Sequence, residues 1–396
     1  MKILSVNAGS SSLKFTLFEL PERKEIISGT FEKIGLKDSF YTIKKDGEKT
    51  KKEAELKDHS VAVKHLIDEL LENKAIESLE DLDGIGHRLV HGGTKINKSV
   101  LINDDVMEVA KECIPLAPIH NPANITGIEA FKKALPDIPM VAVFDTAFHQ
   151  TMAEKEYLYA VPYEWNEKYG VRKYGFHGTS HRYISLTINE VLKRDDLKVI
   201  NCHLGNGSSL CAIDCGKVVD TTMGFTPLTG VVMGTRCGDV DPSIIPFIME
   251  KEGKTCEEVI NSLNKKSGLL GISGVSSDSR DIENGIEEGN ERCILANEML
   301  CQSVANYIAM YNNKLGGADV ITFTAGIGEN SIDTRKRIVE LISTLGVKLD
   351  EEKNNIRGKF DKISSDDSKI DVYVVPTNEE LMIALDTFDL INTIEE

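Results

Sequence analysis

The opening apolar run Ile3-Leu4-Ser5-Val6 is short and β-branched, which predicts a buried strand. Leu13, Phe15 and Leu17 then alternate with Ser12, Lys14 and Thr16, the pattern of a strand with one buried face. Between them lies a turn of one glycine and three serines. The layout recurs at Val199-Ile200-Asn201-Cys202-His203-Leu204, where a Gly205-Asn206-Gly207 turn leads into Ser208-Ser209-Leu210. Each copy continues into a third strand, Lys24 to Thr30 in the first and Lys217 to Thr221 in the second. One supersecondary unit used twice predicts two related α/β domains facing a shared cleft.

Further elements follow from the same patterning. Lys44 to Lys57 is highly charged and predicts an exposed loop or edge hairpin. Val63, Leu66, Ile67, Leu70 and Leu71 share one helical face. Gly84 to Gly93 reads as a short strand bracketed by glycines, and Asp104-Asp105 as a helix start. Leu116 to Pro122 reads as rigid loop, with a helix from Ile125 to Leu135 after it. Met140 to Phe144 is a buried strand ending at Asp145, and Gln150 to Trp165 a crossing between domains. Helices are expected at His181 to Leu192, after a Thr255/Glu258 capping box, and from Glu291 to Leu315 up to Gly316-Gly317. Val320 to Thr324 and Val372 to Val375 are strands, and Pro376 to Glu380 caps a closing helix.

With 396 residues, two domains are expected, and 41% hydrophobic against 28% charged residues fits a folded chain. A net charge of −17 argues against nucleic acid and anionic membranes, so any anionic substrate needs local cations. No apolar run is long enough for a membrane span, no secretory leader is evident, and no cysteines form a Cys-x-x-Cys pair. Eight reduced thiols in a cytoplasm are the expectation.

Candidate chemistry then concentrates in glycine-rich turns. Backbone N–H groups and hydroxyls at Gly9–Ser12, beside Lys14, suit phosphate oxygens. Gly205-Asn206-Gly207 and Gly326-Ile327-Gly328 both follow strands and together fit a nucleotide pocket. Gly-x-x-x-x-Gly-Lys-Ser/Thr and Gly-x-Gly-x-x-Gly are absent, which disfavours a P-loop enzyme and a nicotinamide dehydrogenase. Arg88 and Arg236 are candidate clamps for carboxylate or phosphate, with His177 and His120 in similar loops. His91, His181 and His203 read more readily as structural. Asp145 and Glu379 stand at strand ends and are candidates for Mg²⁺, although Glu379 equally suits helix capping.

Seven motifs in order carry a resemblance: Asn7 to Lys14, His87 to Gly93, Phe176 to His181, His203 to Gly207, Met223 to Asp239, Ala325 to Asn330 and Pro376 to Glu380. Together they resemble the acetate kinase family, essentially end to end. The resemblance implies an α/β fold of duplicated ribonuclease-H-like (actin-like ATPase) domains with an interdomain cleft, residues 1–148 plus 379–396 and 149–378. It implies a homodimer, with the nucleotide site and dimer interface in the second domain. It implies reversible transfer from ATP to acetate, giving acetyl phosphate and ADP, with Mg²⁺, for which Mn²⁺ can substitute.

Residue by residue, it makes Arg88 and Arg236 the clamps and His177, with Arg236, the transition-state stabiliser. Asp145 joins the catalytic set, and Asn7 and Glu379 organise metal and phosphate. His120 and His203 take lesser roles. Val90, Ile119, Phe176 and Pro227, with Arg88, form the acetate pocket. The nucleotide is left to Lys14, His203, Leu204, Gly205, Asn206, Gly207, Asp278, Ser279, Arg280, Gly326, Ile327, Gly328, Glu329 and Asn330. Thr229 and Cys237 depart from the family pattern, at positions given no chemical role. A kinase for propionate or another short acid, and a non-catalytic ATP-driven clamp, are the alternatives.

Overall fold

The computed structural model describes residues 1–118 and 120–395, so the expected pocket residue Ile119 lies outside the described residues. The chain divides into two compact units, one of residues 1–148 with 378–396, the other of residues 149–377. Among the described residues, no helix is long and apolar enough to cross a membrane.

Unit 1 is built on an eight-stranded sheet. Its strands are β1 (Lys2–Ala8), β2 (Ser12–Glu19), β3 (Lys24–Glu32), β4 (Phe40–Lys45), β5 (Glu48–Glu53), β6 (Gly84–Leu89), β7 (Val100–Leu101) and β8 (Met140–Phe144). The spatial order is β5-β4-β3-β2-β1-β6-β8-β7. β1 to β5 form an antiparallel meander, whereas β1, β6 and β8 run parallel. The charged stretch after Lys44 is the β4–β5 edge hairpin, where water satisfies the outer strand. Val6, Phe15, Leu17, Ile27 and Phe31 pack on the helix His59–Glu72 side through Val63, Leu66 and Leu70.

The helix expected from Ile125 begins earlier, at Asn121, and runs to Ala134. Pro122 in the first turn starts it without loss, because the N–H that proline lacks has no partner there anyway. The closing helix Glu379–Glu395 belongs to unit 1 and is capped by Asn378 Oδ1, which accepts from Leu381 N at 2.9 Å. It lies on β6, where glycine is required. A Cβ at Gly86 would stand 2.3 Å from Thr387 Oγ1 and 2.6 Å from Ile383 Cγ2, and one at Gly84 2.1 Å from Ile391 Cδ1.

Unit 2 holds a six-stranded sheet of β9 (Lys198–Leu204), β10 (Ser208–Asp214), β11 (Lys217–Thr221), β12 (Val320–Thr324), β13 (Asp361–Lys362) and β14 (Asp371–Val374). Its order is β11-β10-β9-β12-β14-β13. β9 to β11 are antiparallel, β9, β12 and β14 are parallel, and β13 closes the edge antiparallel to β14. Strand for strand this repeats β3-β2-β1-β6-β8-β7, so both units share one topology. Its core packs the helix Glu291–Lys314 against β10 and β9 through Ala296, Leu300, Val304 and Ile308. The capping box forms as expected, with Thr255 and Glu258 each accepting from the other's backbone N–H.

Candidate functional site

In unit 1 the parallel strands β1, β6 and β8 end at one edge, where α/β sheets gather their chemistry. Asn7, Arg88 and Asp145 meet there. Arg88 Nε donates to both oxygens of Asp145, at 3.2 and 3.1 Å, and Nη1 donates to Asn7 Oδ1 at 3.3 Å. Burial works against the Arg88 charge, but Asp145 outweighs it and lifts the guanidinium pKa above its ordinary value. Lys14 lies opposite Asn7 in the ladder and pairs with Glu380. Glu379 is partly buried; lost solvation, with Asp145 and Glu380 adding to it against Arg88 and Lys14, raises its carboxyl to about 7.

The turn and the loop after β6 are tied by a residue that carries no signal in the sequence. Asn124 Nδ2 donates to Ala8 O at 2.7 Å, and its Oδ1 accepts from Val90 N at 3.2 Å. Asn121, one helical turn earlier, holds His91 in the same way, accepting from its N–H at 3.1 Å and donating to its carbonyl at 3.0 Å. Val90 is buried, and His120 is half-buried at the start of the same helix. His87 is fully buried edge-on to Phe131, and burial pushes it down to about 3, as expected of a neutral core histidine.

In unit 2, His177 occupies the left-handed region at φ +57°, one residue before the helix Gly178–Leu192. Such a conformation at a non-glycine residue is disfavoured and persists where the surroundings over-determine it. His177 stacks on His203, with centroids 4.1 Å apart, and its Nδ1 lies 2.9 Å from Ser209 Oγ. Ser209 Oγ is also 2.8 Å from His181 Nε2, and His203 Nδ1 is 2.8 Å from Ser180 Oγ. His181 and His203, which read as structural, are thus joined to His177. Phe176, beside it, is buried, and its carbonyl lies 2.9 Å from His149 Nε2.

Arg236 lies in the Met223–Asp239 loop and donates to Pro227 O at 3.2 Å. Burial lowers its pKa, and among the described residues it makes no ion pair. His177 and Arg236 converge on Gly207, where a Cβ would stand 3.1 Å from Arg236 Nη1 and 3.6 Å from His177 Nε2. Cys237, next to Arg236, is fixed through its backbone, its N–H donating to Leu263 O at 3.0 Å.

The neighbouring turn opens on a cavity of about 610 Å³. Eight of the expected nucleotide residues line it: Gly205, Asn206, Asp278, Ser279, Arg280, Gly326, Ile327 and Asn330. Ser277, Glu283, Ser331 and Arg357 line it as well and were not expected; Ser277 and Ser331 directly adjoin the expected segments Asp278 to Arg280 and Gly326 to Asn330. Lys14, His203, Leu204, Gly207, Gly328 and Glu329 are not among its walls. The Ala325–Asn330 segment, read as a turn, is a short helix instead. Glu329 Oε1 accepts from Ala325 N at 2.8 Å and from Thr377 N at 3.1 Å, which fixes the start of that helix. Its Gly328 carbonyl accepts from the fully buried Arg335, whose pKa burial lowers to about 10.

The chain matches the model of the acetokinase family over residues 2–385. It is 54% identical over 391 residues to an acetate kinase of Bacillus velezensis, covering 98% of this chain and 99% of the relative. The crystal structure of Porphyromonas gingivalis acetate kinase superposes with a TM-score of 0.94 at 47% identity, over 98% of this chain and 99% of the other. A propionate kinase from Francisella tularensis gives a TM-score of 0.93 at 44% identity, over the same shares.

Proposed function

The chain belongs to the acetokinase family, and we propose that it transfers the terminal phosphoryl group of ATP to acetate, reversibly, giving acetyl phosphate and ADP. The observation that carries this reading is the convergence of a guanidinium and an imidazole on Gly207, beside a turn that opens on the cavity. Among the described residues Arg236 lacks a carboxylate partner, and a glycine leaves an anion room to approach it.

Acetate is ionised at neutral pH, so no general base is needed. The obstacle is bringing one anion to another. The chain's task is alignment and charge neutralisation in a direct in-line transfer: an acetate oxygen bonds to phosphorus as the bond to the ADP oxygen breaks, and ADP leaves with the electron pair. Arg236 and His177 receive the charge on the phosphoryl oxygens. Arg88, aligned by Asp145 and Asn7, takes the carboxylate beside the buried Val90. The cavity lined by Asp278 to Arg280 and by Gly326 takes the nucleoside.

A divalent cation fits the donors of unit 1. Asn7 Oδ1 and Glu379 are hard oxygen ligands, and no group of three or more His, Cys, Asp or Glu side chains forms a metal cage among the described residues. Mg²⁺ commonly takes one or two carboxylates and fills its shell with phosphate and water. Bound there, Mg²⁺, or Mn²⁺ in its place, would neutralise phosphate charge.

A homodimer is supported by exposed apolar side chains in unit 2, among them Trp165, Tyr169, Phe247, Leu295 and Met299, and light scattering tests it. A cytoplasmic setting is supported by eight free thiols.

The propionate kinase relative favours a second reading, a longer acid on the same mechanism. A hydroxamate assay with ATP and Mg²⁺, run with acetate, propionate and butyrate, decides between them. Acyl phosphate from acetate, declining with chain length, is the expected result. A stronger signal from propionate transfers the reading to the longer acid, and no signal from any acid overturns it.

A further inference from the structure

Behind His177 a line of hydrogen bonds runs into the sheet of unit 2. Thr322 Oγ1 donates to Asn201 Oδ1 at 2.7 Å, and Asn201 Nδ2 lies 2.8 Å from His181 Nδ1. His181 Nε2 lies 2.8 Å from Ser209 Oγ, which lies 2.9 Å from His177 Nδ1. Thr322 and Asn201 are register partners on β12 and β9. All four residues behind His177 are fully buried, so the chain of bonds is closed to solvent.

The chemistry of the amide gives this line a direction. An amide nitrogen has no lone pair to accept with, so Asn201 donates to His181 Nδ1. The His181 proton then sits on Nε2 and is donated to Ser209 Oγ. The Ser209 hydroxyl has its own proton left for His177 Nδ1, which leaves the His177 proton on Nε2. Turning the Asn201 amide over would reverse every bond and strand the Thr322 hydroxyl proton, since Thr322 makes no other side-chain hydrogen bond among the described residues. Neutral His181 is required throughout. Burial, with His149 and His203 adding to it, holds its pKa well below the ordinary value.

We propose that Thr322, Asn201, His181 and Ser209 are positioning residues that lock His177 as a neutral imidazole with its proton on Nε2, a hydrogen-bond donor to the phosphoryl oxygens that does not need to be protonated first. The inference rests on the transfer role given to His177 above. The groups facing His177 make a locked neutral donor useful. His203 stacks on it, the Arg236 guanidinium shares Gly207 with it, and His181 and then His149 stand behind Ser209. A second full cation beside Arg236 would be costly, whereas a neutral N–H adds a hydrogen bond at no cost in charge.

The test is the titration of His177, followed by NMR in the full-length protein labelled with ¹⁵N-histidine and assigned by loss of the signal in His177→Gln. In Ser209→Ala the donor that occupies Nδ1 is gone, so the His177 pKa rises. Thr322→Val, at the far end, lets Asn201 turn over and raises it in the same direction by less. kcat falls roughly tenfold or more in Ser209→Ala with KM for ATP and acetate little changed. A His177 pKa that falls in Ser209→Ala means that the line runs the other way, and one unchanged in both variants means that it sets nothing. Either overturns the inference. The titration is read without turnover, so it stands apart from whether the wild-type protein forms acyl phosphate.

Discussion

Arg88 meets Asp145 along one edge of its guanidinium, with Nε shared between both carboxylate oxygens and Nη2 on Oδ2, while Nη1 reaches Asn7. The arginine is therefore aimed, and its charge is already partly answered before a substrate arrives. Arg88→Ala is expected to lower kcat by about 10²–10³-fold with the fold intact, and Arg88→Lys to rescue little of it, because an ammonium cannot span Asp145 and Asn7 together. Steady-state kinetics beside circular dichroism check this, and near-normal turnover in either variant removes the role.

Removing the other partner has a different outcome. Asp145 is 1% exposed, so Asp145→Ala leaves a shielded cation without its counter-charge. Stability is expected to fall by about 3 kcal/mol, read from denaturant unfolding.

Arg236 behaves in the opposite sense, because among the described residues it has no acid to lose. Arg236→Ala is expected to leave the melting temperature of the free protein unchanged or slightly raised while turnover drops by orders of magnitude. Inorganic phosphate or sulfate should stabilise the wild type more than the variant. A variant that melts lower without any anion present would show that the guanidinium is a structural strut.

Gly86 tests the seat of the closing helix. Gly86→Val places methyl groups where Thr387 and Ile383 already stand, and overpacking of this kind costs about 1–3 kcal/mol. The loss should appear as early proteolysis near the C-terminal helix, with the unit 2 cavity still binding nucleotide.

Glu69 supplies a pH dependence. Burial raises its pKa, but hydrogen bonds from Lys52 and from Tyr41, the latter at 2.8 Å, outweigh burial and hold it below 4.5. The native state thus binds this proton less tightly than the unfolded chain, so the contribution to stability is present above the unfolded value and lost as pH falls through the native one. Glu69→Gln is expected to cost about 1–3 kcal/mol at neutral pH, and the gap to wild type should close on acidification below that range.

Strand ends were the most legible feature of the sequence. Asn7, Asp145 and His203 each close an apolar run, and a polar residue there stands out. Arg88 and Arg236 were legible because glycines surround them. Asn201, Thr322 and Ser209 were not, since a single polar residue inside a buried strand looks like a lapse in the pattern, and its purpose appears only when β12 is laid beside β9. Asn124 was hidden for a related reason: it acts on the Ala8 carbonyl, 116 residues away in sequence, and no local pattern marks such a bond. The helix starts at Asn121, inside the stretch that reads as rigid loop, because a proline in the first turn is compatible with a helix start.

The seat of the helix Glu379–Glu395 on β6 bears on how the chain is made. A ribosome releases β1 to β8 first, then all of unit 2, and only afterwards the segment that covers Gly84 and Gly86 and packs Ile383 against Val141 and Val143. The first sheet therefore spends the synthesis of an entire second domain with an apolar face uncovered, a window in which nascent chains are open to misassociation and to chaperone capture. Unit 2, continuous in sequence, completes its core before unit 1 does, so the order of maturation runs against the order of translation.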